Sequence, residues 1–211
     1  MTNAKSSRAP RHRNQRGEGA KLRAELVDAA IRLLAGTHDE GISLRAIAKE
    51  ANVSAPSVYL QFKNLNEIMV AVLERLYADQ IRLRAAAEEA AAKRGGDAMA
   101  RLIARSASYI EWGLKNPGHY KVLFEGRIYT RYDDPKIMKM GKPLLVRSSE
   151  LISEVRKERG LDPLKDVDEV SVMLWACLHG IVSLQINKPT LTWGKPKDLA
   201  VQVIQSTVLS R

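Results

Sequence analysis

The stretch Ile42–Phe62, ISLRAIAKEANVSAPSVYLQF, constrains the fold more than any other part of the chain. It carries two short apolar patterns at helical spacing, Leu44, Ile47 and Ala48, then Val53, Val58 and Phe62. Asn52 stands between them, and asparagine tolerates the left-handed backbone that a sharp helix-to-helix turn requires. Ala48 is small where the two helices would cross, so their backbones can approach. Ser54 or Ala55 caps the second helix, expected over Ala55–Phe62. Pro56 falls in its first turn, where a missing N–H costs nothing. The pattern predicts a helix-turn-helix, whose second helix is shaped for a DNA major groove.

The order of these residues carries a sharper signal. Ile47-Ala48, then Ala51-Asn52-Val53-Ser54, then Val58-Tyr59, then Phe62 and a long helix, resembles the tetracycline-repressor (TetR) family over about residues 22–73. That resemblance implies an all-α protein. It would have an N-terminal three-helix helix-turn-helix domain that binds DNA, and a larger C-terminal helical bundle for ligand binding and dimerisation. The expected division is a basic arm over 1–19, the DNA-binding domain over 20–66 and the regulatory domain over 67–211. The chain departs from the family at Leu65, where a lysine is common just after the cap; Lys63 is the candidate to carry that phosphate contact instead.

Charge identifies the class of partner. With 34 Lys and Arg against 24 Asp and Glu, the net charge is +10, which favours a polyanion, or an anionic membrane surface. A hydrophobic content of 45% excludes global disorder. No apolar run is read as approaching the roughly 18 residues of a membrane span, and the basic N-terminus lacks the apolar segment of a secretory signal. Cys177 is the only cysteine, which suits a reducing cytoplasm and excludes an intrachain disulfide. His12, His38, His119 and His179 are scattered, so no metal site is expected. No Gly-rich phosphate loop, metal spacing or nucleophile elbow appears, so neither a cofactor nor an enzyme is expected. A sequence-indifferent basic DNA-packaging protein is the competing reading, and the large apolar C-terminal half argues against it.

Candidate DNA contacts follow from position. In the arm, Arg13 and Arg16 either stay solvated or lie along phosphates and enter the minor groove. Ser43 is the expected N-cap of the helix before the turn, and Arg45 points away from its apolar face. Ser54, Ala55, Pro56, Ser57, Tyr59 and Gln61 lie on or near the outer face of the second helix. Ser57 can bond a base edge or a phosphate, Gln61 an adenine or a phosphate, and Ala55 and Pro56 a thymine methyl. Tyr59 matches the family tyrosine whose hydroxyl bonds a phosphate; its ring can equally be half-buried. Asn64 and Glu67 form a capping-box pair beside Lys63.

Helices are predicted over Ala20–Ala35, with a stripe of Leu22, Leu26, Ala30 and Leu33, and over Asn64–Lys93, 97–115, 119–125, 136–159 with a break near Gly141, 167–187 and 197–209. The segment Trp175-Ala-Cys-Leu-His-Gly180 resembles a Trp-His-Gly C-terminal module of the same family. Trp175 and His179 share a helix face, and Gly180 would permit close helix approach. The candidate effector residues are Tyr109, Trp112, Tyr120, Phe124, Met138, Trp175 and His179, each of which is also a natural core residue. This apolar set favours a lipophilic effector. The resemblance implies a homodimer formed through the last two helices. It also implies recognition helices about 34–36 Å apart on a near-palindromic operator, and release of DNA when a ligand binds.

Overall fold

A computed structural model describes residues 18–36, 42–125 and 136–209, together with the backbone but not the side chain of Met138. Among the described residues there are helices and turns and no strand. α1 spans Glu18–Gly36 and buries Leu26, Val27, Ala29, Ala30, Ile31 and Leu34. Leu22 and Leu33 of the predicted stripe are only partly buried, because the face turned to the core is centred one residue further round the helix.

The helix-turn-helix forms as its punctuation requires. α2 (Leu44–Glu50) starts at Ser43, whose Oγ accepts from Ala46 N at 3.1 Å. Asn52 takes φ +54°, the only positive φ at a non-glycine among the described residues. α3 covers Ala55–Tyr59, shorter than the expected Ala55–Phe62. Gln61 N and Phe62 N both bond Val58 O at 2.9 Å. That contraction ends the helix and turns the Phe62 ring inward beside Val58, both essentially fully buried.

α4 (Leu65–Lys93) starts at Asn64, whose Oδ1 accepts from Glu67 N at 3.0 Å. Glu67 reaches back to Lys63 N rather than to the cap residue itself, at 2.8 Å. The helix stops at Gly95, where φ is +76°. Asp97 then caps α5 (Ala98–Lys115) by accepting from Ala100 N at 2.8 Å. α6 (Pro117–Tyr120) runs into a π-helical turn over Lys121–Glu125. α7 (Ile137–Met140) and α8 (Lys142–Glu158) meet at the expected break, Gly141. α9 (Val167–Asn187) and α10 (Pro196–Ile204), with a π-turn over Gln205–Leu209, complete the chain.

α5 is the centre of the bundle, packed on α4, α8, α9 and α10. Gly113 is what lets α9 approach, since a Cβ there would lie 2.4 Å from Val182 Cγ1. α1 packs on α2 and α4 and also on α6, where a Cβ on Gly118 would lie 2.6 Å from Ala35 Cβ. The helix-turn-helix therefore touches the bundle through α4 and through the end of α1.

α9 corrects one reading of the sequence. It is long and apolar enough, by length and composition alone, to cross a membrane. Its inner row, Val170, Leu174, Leu178 and Val182, is buried in the bundle, whereas Val172, Met173 and Leu184 on other faces are exposed.

Candidate nucleic-acid interface and internal cavity

The short α3 presents most of the predicted contact set on one side. Ser43, Arg45, Ser54, Pro56, Tyr59 and Lys63 are exposed, and Ala55, Ser57 and Gln61 are partly buried. Ser54 is the N-cap by position but caps nothing with its side chain; its Oγ lies 2.8 Å from Ser57 Oγ, so the two hydroxyls form a polar pair on the outer surface. Gln61 leans back toward α1, its Nε2 3.8 Å from where a Cβ on Gly19 would be. Arg23 of α1 clamps this end of the motif. It donates to Gln61 O at 2.7 Å and stacks its guanidinium 4.0 Å over the Phe62 ring. Arg32 pairs with Glu50 at 2.8 Å and ties α1 to α2. Leu60, absent from the predicted set, is the most exposed large apolar side chain recorded, at 79%. A leucine beside Tyr59 at the end of a DNA-facing helix was the signal for it. Arg13 and Arg16 lie outside the described residues.

Five of the predicted effector residues meet in one aromatic cluster, and the side chain of a sixth candidate, Met138, lies outside the described residues. Tyr109, Tyr120, Phe124, Trp175 and His179 have ring centroids 5.1–6.2 Å apart in successive contacts. Tyr120 Oη lies 3.0 Å from the His179 carbonyl and 2.6 Å from His179 Nδ1. The phenol has one proton, so it donates in only one of these two contacts. Burial pushes the Tyr109 and Tyr120 phenols above their ordinary pKa and the His179 imidazole below its own. The three polar members are therefore neutral at pH 7 and bonded to one another. Trp112 packs on Tyr120 at the far side of the cluster.

Beside this cluster is a cavity of about 70 Å³, walled by Tyr77, Arg84, Phe124, Gly141, Leu144, Leu145 and Trp175. Of the predicted residues whose side chains are described, Phe124 and Trp175 line it; Tyr109 is reached through Arg84, whose guanidinium stacks 4.5 Å from its ring centroid. Arg84 is 7% exposed, its Nε has no hydrogen-bond partner, and no described carboxylate pairs with it. Burial, and then Arg105, lower its pKa to about 10. One turn earlier, Gln80 is 1% exposed with neither amide atom bonded. These residues were legible as a row: Val72 and Leu76 of the apolar stripe continue at four-residue steps into Gln80, Arg84 and Glu88. Glu88 is already taken by Arg147, and Arg105 Nη1 lies 3.6 Å from it. A larger open groove of about 440 Å³ borders the cavity between α4, α5 and α8, and Leu144 lines both.

One expectation changes here. Nothing lies within 4 Å of a Cβ built on Gly180, so this glycine serves no close helix contact within the described chain. Cys177, in the middle of the apolar α9, is exposed. Among the described residues no three His, Cys, Asp or Glu side chains group as metal ligands.

Two family models match the chain. Residues 26–72 match "Bacterial regulatory proteins, tetR family", and residues 102–206 match "Tetracyclin repressor-like, C-terminal domain". An uncharacterized HTH-type transcriptional regulator, YobS of Bacillus subtilis, is 31% identical over 100 residues, which is 46% of this chain and 48% of that protein. The match thus spans about half the length of that relative. A putative transcriptional regulator from Pseudomonas aeruginosa shares the fold with a TM-score of 0.75 at 18% identity, over 92% of this chain and 94% of the other. A TetR-like regulator from Rhodococcus sp. shares it with a TM-score of 0.69 at 16% identity, over 97% and 100%.

Proposed function

Because the chain belongs to the tetR family of bacterial regulatory proteins, which are transcriptional regulators and not enzymes, we propose that it is a cytoplasmic homodimeric repressor, released from a near-palindromic operator by a small lipophilic ligand. One observation carries the reading. The single helix α4 is capped against the helix-turn-helix at Asn64 and, farther along, contributes Tyr77 and Arg84 to the wall of the internal cavity. A ligand that enlarges the cavity must displace α4 or its neighbours, and α4 leads straight to α3.

The second link runs through α6. Tyr120 belongs to the aromatic cluster, and Gly118, two residues earlier, touches Ala35 at the end of α1. Both links favour a two-state shift in which the ligand prefers the conformer with wrongly spaced recognition helices. Reciprocity then requires DNA to weaken ligand binding by the same factor. In this reading residues 1–19 are an arm, 20–66 the DNA-binding part and 67–211 the regulatory part. Ser43, Arg45, Tyr59 and Lys63 position the phosphates, Ser54, Ala55, Pro56 and Ser57 face the bases, and Gln61, which leans toward α1, must swing outward to reach the DNA.

The dimer rests on α9. Val172, Met173, Ala176, Cys177, Gly180 and Leu184 lie on its outer side, where a second copy of α9 and α10 would cover them. Because the opposite row of α9 is packed inside the bundle, burial against a second subunit satisfies the helix better than lipid does.

The experiment is selection of bound duplexes from a random pool at two salt concentrations, with mass measured in solution. Enrichment of an inverted repeat that persists at higher salt, bound by a dimer, is the expected result. Binding without enrichment, lost steeply as salt rises, would mean backbone attraction only and would favour DNA packaging.

A further inference from the structure

Buried charge in a protein is normally paired, because an isolated ion loses its hydration without compensation. Arg84 breaks that rule at the cavity wall. It is 7% exposed, it faces no described carboxylate, and its guanidinium lies 4.5 Å from the ring centroid of Tyr109. The nearest acid along the helix, Glu88, is shared between Arg147 and Arg105. Arg105 is itself 4% exposed with an unbonded Nε, so the described residues of this region hold more buried positive than negative charge. The remaining wall, Tyr77, Phe124, Leu144, Leu145 and Trp175, is apolar or aromatic.

We propose that Arg84 is the anion-binding residue of this internal site, and that the ligand is a carboxylic acid with a compact aromatic or short acyl body. The carboxylate pairs with the guanidinium in the bidentate geometry that arginine favours, and the body fills the space against Phe124 and Trp175. The cavity volume of about 70 Å³ excludes a long chain without expansion, which is where binding would force α4 and α8 apart. Gln80, one turn below Arg84 with both amide atoms unbonded, is placed to take up further polar atoms once the site opens. This inference rests on the ligand-responsive reading above and narrows it to one ligand class.

The test uses the full chain and matched probes: benzoate, 1-naphthoate and octanoate against benzyl alcohol, 1-naphthalenemethanol and octanol. Thermal shift and Trp fluorescence report binding. At least one acid should bind roughly tenfold or more tightly than its alcohol. In Arg84→Met that ratio should fall to near one, while Arg84→Lys should keep part of it. The ligand-free Arg84→Met protein should melt higher than the parent, since an unpaired buried charge is gone. Alcohols binding as well as acids, no acid binding at all, an acid preference that survives Arg84→Met, or a lower melting point of Arg84→Met would each overturn the proposal. DNA release is followed in parallel. Release by the alcohols as readily as by the acids leaves the ligand-responsive repressor standing and removes this inference. Arg84-dependent acid binding that leaves DNA bound keeps the inference and removes operator release.

Discussion

The DNA-facing part and the bundle treat their interiors in opposite ways. Among the described residues, every buried side chain from α1 to Phe62 is apolar, from Leu26 through Ile47 to Val58. Its polar residues cap, pair across the surface, or face outward. The bundle instead buries Gln80, Arg84, Arg105 and Arg156. Arg156 is satisfied, donating to Asp162 O and Val208 O at 2.7 Å each. Gln80, Arg84 and Arg105 each leave buried nitrogen or oxygen unbonded. The first region is locally consistent, so its sequence selects one rigid shape. The second carries unmet polar groups in several places, Gln185 Nε2 and Trp193 Nε1 among them; of these, Arg84 stands at the cavity wall, where a ligand rather than the chain can satisfy it.

The strongest way to break this contrast is Phe62→Ala. Removing a ring that closes the small core under Arg23 should cost about 3–5 kcal/mol, read by urea denaturation, with specific DNA binding lost in step. A loss below 1 kcal/mol would mean that the small core is not what holds the motif. Next is Gln80→Leu. Replacing an amide whose hydrogen bonds are all unmade should stabilise the ligand-free protein by roughly 1–3 kcal/mol. A destabilised variant would show that the amide is already satisfied, and the contrast between the regions would weaken.

Asn52 sharpens the other side. At φ +54°, Asn52→Val should cost about 1–2 kcal/mol, whereas Asn52→Gly should sit within a few tenths of the parent. Equal melting points for the two variants would remove the argument from backbone conformation. The smallest effect concerns pH. Burial lowers the pKa of His119 and His179 in the folded protein, so the unfolded chain takes up protons first on acidification. Their contribution is present above the ordinary histidine pKa near 6.5 and is lost as pH falls below it. Thermal melts from pH 8 to pH 5 should slope accordingly, and His179→Gln should flatten part of that slope. Both of these histidines lie outside α1–α3, on α6 and α9.

The sequence by itself determined the all-helical class, the family, the turn at Asn52 and the caps at Ser43, Asn64 and Asp97. These depend on neighbours within four residues, where helical geometry leaves few choices. It also placed Tyr109, Tyr120, Phe124, Trp175 and His179 among the right candidates, because large aromatic residues on apolar helix faces meet in a core. Only the tertiary structure decided which of them border open space, since the cavity is set by where α4, the π-helical turn at Phe124, Gly141, α8 and α9 stop short of one another. It ended α3 early at Tyr59 and turned Leu60 outward. It left Gly180 and Cys177 on the outer side of α9. It also put Arg84 inside. An arginine in a helix reads as solvated until the packing of distant segments shows that water has been excluded from it and no carboxylate has been supplied.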